Sequence, residues 1–240
     1  MIVLVLSTPR SGSHYYSESL LENYKDGIVT HEVLSRAAQG IYLQQNGHIE
    51  YSLKNYDQGC YYQDLVNGQL ERVYKERPGL ELFFNQFIES ISTSDRAYIV
   101  HEHVSLLPDH WIEKLISAGN KVNYLVRDRK EQLASRLIAG FTGVYMLKDN
   151  YILCHGDFAN MSQYQCPKFS ESIASPDLIY QLIDIYKTAD QKIQNFDVNI
   201  INYESIQQSG SAIKKLFTSS FSRLCSQDQK LIEGALLDCG

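Results

Sequence analysis

The sequence predicts an α/β protein in three layers, a mostly parallel sheet flanked by helices. Short runs of β-branched and aliphatic residues at 2–6, 97–100, 122–126 and 198–202 alternate with segments of helical periodicity. The first run leads directly into a small Gly-containing turn that opens a helix. At 240 residues the chain is long enough to bury one full α/β core as a single domain with insertions.

Taken in order, Ile2 to Leu6 reads as a buried strand, and Pro9, Arg10, Ser11 and Gly12 form the turn after it. The helix that follows spans about Ser13 to Tyr24, with Tyr16, Leu20, Leu21 and Tyr24 at helical spacing. Residues 28 to 35 fit a short strand or the turn after one. From Gly40 to Gly68 the chain is rich in Tyr, Gln, Asn and Gly and weakly periodic, which suits an irregular cap. Leu80 to Ile91 is helical, with Leu82, Phe83, Phe87 and Ile91 on one face. A strand from Ala97 to Val100 then ends at His101, Glu102 and His103.

Pro108 and Asp109 start the next helix, carried by Trp111, Ile112, Leu115 and Ile116 and stopped by Gly119. Val122 to Val126 is a strand, and Lys130 to Ala139 a helix closed by Gly140. Residues 141 to 176 again lack periodicity. Leu178 to Ile193 is an amphipathic helix and Val198 to Asn202 a strand. From about Ser209 the chain reads as helical.

Bulk composition narrows the partners. A net charge of −6 and a pI near 5.6 argue against a general binder of nucleic acid or anionic membranes. The five cysteines, at 60, 154, 166, 225 and 239, are odd in number and form no C-x-x-C pair, so reduced thiols are expected. No run approaches the roughly 20 apolar residues of a membrane span. The apolar start is too short for a signal peptide, and a cytoplasmic location is expected.

A strand feeding a small polar turn that opens a helix is a phosphate cradle, because free backbone N–H groups and the helix dipole converge on one point. The turn is not Walker A, since His14 stands where a lysine would follow. Thr8, Pro9, Arg10, Ser11, Gly12 and Ser13 instead resemble the 5′-phosphosulfate loop of sulfotransferases that use 3′-phosphoadenosine 5′-phosphosulfate (PAPS), with His14 departing from the usual hydroxyl residue.

A second match lies at Asn123 to Gly140. Arg127 at a strand end, Asp128, Glu131 and Ser135 eight positions after Arg127 resemble the family's 3′-phosphate site, with Arg129 in place of the usual proline. A planar guanidinium can grip two oxygens of a dianion while a hydroxyl takes a third. A third echo, Tyr203-Glu204-Ser205-Ile206 after a strand, resembles the family's Y-E-D-L segment, and Tyr203 and Glu204 read as structural or as supports of the site. The resemblance spans residues 2–35, 97–140 and 198–218.

That resemblance implies a P-loop NTPase-like sulfotransferase fold with irregular cap insertions at about 40–75 and 141–176. It implies PAPS as co-substrate, no metal, and transfer of the sulfuryl group to a hydroxyl or amine of an acceptor, with carbohydrate among the candidates. Pro9, Arg10, Ser11, Gly12, Ser13 and His14 would hold the phosphosulfate, and Arg127 with Ser135 the 3′-phosphate. Arg10 would stabilise charge on the leaving phosphate. Glu32 occupies the place of the base in bacterial members, and His101 or His103 that of the base in the steroid and phenol branch. Both assignments stand open. His101 and His103 at i, i+2 suit metal ligation, but spacing places no third ligand.

The tyrosines at 42, 51, 56, 61 and 62 suit either a stacking platform for the acceptor or an ordinary cap core. Two other functions fit the loop. A P-loop small-molecule kinase would need a lysine or its equivalent after Gly12, where His14 speaks against it. A catalytically inactive nucleotide-binding member of the same fold would bind without transfer.

Overall fold

The computed structural model describes residues 1–24, 26–38, 60–66, 69–75, 78–142, 144–148, 151–154, 157–160, 168–209 and 219–239. The chain divides into two compact units. One holds Met1–Val126 and Ile185–Ile206, the other Arg127–Asp184 and Gln207–Gly240.

The elements of the first half are β1 (Ile2–Ser7), α1 (Ser13–Leu21), β2 (Ile28–His31), α2 (Val33–Ala38), β3 (Cys60–Val66), β4 (Gln69–Lys75), α3 (Pro78–Ser92), β5 (Tyr98–His103) and α4 (Asp109–Ala118). There follow β6 (Lys121–Val126), α5 (Arg129–Thr142), β7 (Val144–Lys148), β8 (Tyr151–Cys154), β9 (Asp157–Asn160), α6 (Pro176–Gln194), β10 (Asn199–Asn202), α7 (Tyr203–Ser209) and α8 (Ser226–Cys239).

In the first unit five strands form an all-parallel sheet in the order β10-β6-β1-β5-β2. β1 is central and buried along its whole length, as a continuous apolar run in a doubly covered sheet must be. Its alternate residues feed two cores. Ile2, Leu4 and Leu6 join Phe83, Phe84, Phe87 and Ile91 of α3, Trp111, Ile112 and Leu115 of α4, and Ala189 and Ile193 of α6. Val3 and Val5 join Val29, Ile99 and Leu125, covered by Tyr16 of α1 and Tyr203 of α7. Helices therefore line both faces, which is the three-layer α/β arrangement.

The connection from β1 runs to β2 on one side, whereas β5 returns across β1 to β6 on the other. That reversal makes the carboxyl end of β1 a topological switch point, the usual ligand crevice of open α/β sheets.

Several expectations shift. Helix α1 ends at Leu21 rather than Tyr24, in a turn closed by Tyr24 N–H donating to the Leu21 carbonyl. On α3 Leu82 is exposed and Phe84 is buried in its place, its ring stacked on Trp111 at 4.7 Å. Helix α5 runs through Gly140 to Thr142, because that glycine has no positive φ and so provides no left-handed stop. Within the expected irregular insertions, β3 and β4 pair as an antiparallel hairpin and β7, β8 and β9 as an antiparallel sheet. Tyr42, Tyr51 and Tyr56 lie outside the described residues, as does 210–218, the start of the expected C-terminal helix.

The second unit centres on α5 and α8. Leu133, Leu137, Ile138 and Ile232 are buried, and Lys130 pairs with Glu233 at 2.8 Å. Asp228 accepts hydrogen bonds from Ser172 Oγ (2.5 Å) and the Ile173 N–H (2.9 Å).

Candidate functional site

The site is built by three adjacent parallel strands changing character at their carboxyl ends. On the face toward α1, β1 presents Val3, Val5 and then Ser7; β5 presents Ile99, His101 and His103; β2 presents Val29 and His31. Register sets Ser7 beside His103 and His31 beside His101. The last rung or two of an apolar surface thus becomes polar, directly under the first two turns of α1, which carry His14 and Glu18.

Distances define one connected network. Glu32 Oε1 lies 3.1 Å from both His14 Nε2 and His103 Nε2. His103 Nδ1 lies 3.1 Å from Ser7 Oγ, which is 3.4 Å from His101 Nε2. His101 Nδ1 lies 3.3 Å from His31 Nδ1, and His31 Nε2 is 3.6 Å from Glu18 Oε1. The His14 ring stacks on His31 with centroids 4.1 Å apart. The two candidate bases, Glu32 and the 101–103 pair, are therefore parts of a single array.

Burial sorts the protonation states. Fully buried His101 is held well below the usual imidazole range by desolvation, with His103 and His14 adding to the effect. His31 is likewise lowered to about 4, chiefly by burial. Burial alone would raise the Glu32 carboxyl, but His103 and His14 outweigh it and hold it well below the carboxylate range. At neutral pH the array contains an ionised Glu32 and neutral His31 and His101. Glu32 also has φ 55°, a left-handed backbone outside the usual range of non-glycine residues, pinned by its N–H donating to the His101 carbonyl at 2.8 Å.

On the opposite face, Glu102 is fully buried and accepts from Leu34 N–H (2.8 Å), Ser35 N–H (2.9 Å) and Ser35 Oγ (2.6 Å). Burial pushes its carboxyl up to about 7 against these donors. It fixes the start of α2 to β5, and with it the β2–α2 turn that carries Glu32.

The β1–α1 turn is the other half of the site. Arg10 has φ 69° and Gly12 φ 87°, so the loop makes two left-handed bends within three residues. Gly12 caps α1 without a side-chain cap, which leaves the first-turn amides of Ser13, His14 and Tyr15 without intrahelical acceptors. Among the described residues, Ser11 Oγ is buried and has no hydrogen-bond partner. A buried hydroxyl left this way costs about 1–3 kcal/mol unless a water, ion or ligand completes it, and Ser17 Oγ and Thr30 Oγ1 are left the same way among the described residues.

Arg127 and Ser135 belong to the second unit. Arg127 directly follows β6 and lies 3.7 Å from Glu131, and Ser135 is buried on α5. Asp128 Oδ1 accepts the Glu131 N–H at 3.0 Å, so the Asp-x-x-Glu frame is the N-terminal cap of α5. Glu131 in turn accepts from the backbone of Ser220 at 2.8 Å.

Sequence reasoning passed over His31, Ser7 and Glu18. The period-two alternation Ile99-His101-His103 put the histidines on one face, but only the register of β2 and β1 against β5 reveals their neighbours. The fold and loop define an α/β protein with a glycine-containing strand–turn–helix beside a histidine–carboxylate array. Comparison with known family models gives no match, and comparison with curated protein sequences gives none either.

Proposed function

We propose that this chain is a PAPS-dependent sulfotransferase that moves the sulfuryl group to a hydroxyl or amine, with carbohydrates the first acceptors to test. The observation that carries the reading is the β1–α1 turn, with Arg10, a buried Ser11 hydroxyl that has no partner among the described residues and the first-turn amides of Ser13 and His14, ending beside an ionised Glu32. The sequence resemblance supplies the chemistry and assigns the 3′-phosphate to Arg127 and Ser135.

In the proposed step the acceptor oxygen attacks sulfur as the bond from sulfur to the phosphate oxygen breaks. The electron pair leaves on the phosphate, giving adenosine 3′,5′-bisphosphate. Arg10 and the loop amides stabilise that developing charge. The acceptor proton passes to Glu32, whose Oε1 stays within hydrogen-bond reach of the His103 Nε2–H. Two imidazoles hold the Glu32 carboxyl down, so it is a weak base in the resting site.

Calorimetric titration with adenosine 3′,5′-bisphosphate tests the binding half. Arg10→Ala and Arg127→Ala should each weaken affinity about tenfold or more, the loss expected of a charged hydrogen bond. Unchanged affinity in both variants refutes the reading. Glu32→Gln should retain binding and lose transfer. Binding by the unaltered chain with no transfer to any acceptor would identify an inactive nucleotide-binding member instead.

A further inference from the structure

We propose that His14, His31 and His101 form a binding site for a divalent transition-metal ion of the zinc class. Their ligating nitrogens all lie within 4.8 Å of one another, and they come from three different elements, α1, β2 and β5.

The hydrogen-bond directions in the array point to a cation. Glu32 can only accept, so His103 carries its proton on Nε2 and offers a lone pair at Nδ1. Ser7 Oγ donates to that lone pair, and so accepts from His101 Nε2–H. His101 is thereby fixed with an unprotonated Nδ1. Glu18 Oε1, 3.6 Å from His31 Nε2, favours the same tautomer in His31, with Nδ1 unprotonated. The two lone pairs then face each other at 3.3 Å.

Two imidazole nitrogens so placed repel unless a cation lies between them. Zinc–nitrogen bonds of about 2.0–2.1 Å in tetrahedral geometry put neighbouring nitrogens about 3.3–3.4 Å apart, which matches the observed separation. A carboxylate or hydroxyl behind the ring is the usual outer support of metal-bound histidine, and the two buried rings have one: Glu18 behind His31 and Ser7 behind His101. Rotation of His14, the most exposed of the three side chains, brings its nitrogen in as third ligand. The fourth position is left for a water or substrate oxygen, at the first turn of α1. Imidazole-rich sets with one open position favour zinc over magnesium or calcium, which prefer oxygen.

The test uses the untagged full chain, stripped with chelator and titrated with Co²⁺ and then Zn²⁺. Expected are saturation at one equivalent, intense visible cobalt bands of a four-coordinate site, and their loss on adding Zn²⁺. His31→Ala and His14→Ala should weaken binding about 100-fold or more, Glu18→Gln about tenfold, and His110→Ala not at all. Circular dichroism checks folding. If His31→Ala fails to fold, the solvent-facing His14→Ala decides. No saturable cobalt spectrum, or one unchanged in His14→Ala, overturns the proposal and leaves a metal-free His31–His101 hydrogen bond. The readout is coordination, so the result stands apart from bisphosphate binding and transfer.

Discussion

The Tyr203 ring lies over Gly12 so closely that a Cβ there would come within 2.1 Å of Tyr203 Cε2. Two constraints thus coincide at Gly12, a φ of 87° and an aromatic roof. Gly12→Ala should cost roughly 2–5 kcal/mol, combining left-handed strain with overpacking. Tyr203→Ala removes the roof but not the backbone strain. On that background the Gly12→Ala cost should fall to about 1–2 kcal/mol, read from urea unfolding of the four chains in a double-mutant cycle. Equal costs on both backgrounds would show that the ring does not shape the turn.

Ser11 separates binding from stability. Its buried hydroxyl has no partner among the described residues, so Ser11→Ala removes a desolvated group and loses no hydrogen bond. Stability should stay level or rise by about 1 kcal/mol, while affinity for adenosine 3′,5′-bisphosphate drops about tenfold. A variant that is both less stable and equally tight would mean that the hydroxyl serves the fold.

Much of the fold was legible in residue order. The β1 run is apolar at every position because the strand is covered on both faces, and the Gly119 and Asp109 signals delimit α4 as they should. The strand-to-turn signal at 7–14 likewise led to the loop. Two things were hidden. The hairpin of β3 and β4 carries Tyr, Gln, Asp and Arg without clean alternation, so no periodicity marks it. The histidine array depends on β2 lying beside β5, a pairing of residues 70 positions apart. Glu32 and His103 read as competing bases because linear spacing does not show that they touch.

Ser35 ties the two sides of the site's scaffold together. Its hydroxyl donates to Glu102 at 2.6 Å and accepts the His103 N–H at 3.3 Å, both in fully buried surroundings. Ser35→Ala leaves a carboxylate oxygen and a backbone donor each short of one partner, costing about 2–4 kcal/mol. Hydrogen exchange at the His103 amide should accelerate by more than the global loss of stability accounts for. Equal change at all core amides would argue against a local tie.

The single tryptophan offers a direct reading of a helix–helix contact away from the site. Trp111 is fully buried, and its Nε1–H donates to Glu81 Oε1 at 2.5 Å, linking α4 to the first turn of α3. His110 also bonds Glu81, and Lys114 lies 3.6 Å from its second oxygen. Burial alone would raise the Glu81 carboxyl; the bonds from His110 and Trp111 outweigh it and lower it below 4.5. A depressed carboxyl binds fewer protons in the folded chain than in the unfolded one. Its contribution to stability is therefore complete above pH 4.5 and is lost as pH falls through the folded value. Tryptophan fluorescence of the folded protein should shift with a midpoint below pH 4.5, and Glu81→Gln should abolish that step. The same variant should lose less stability than the unaltered chain between neutral pH and pH 4, by a small margin because the carboxylate is partly solvated. A fluorescence midpoint at or above 4.5 would mean that the two α4 donors do not govern this carboxyl.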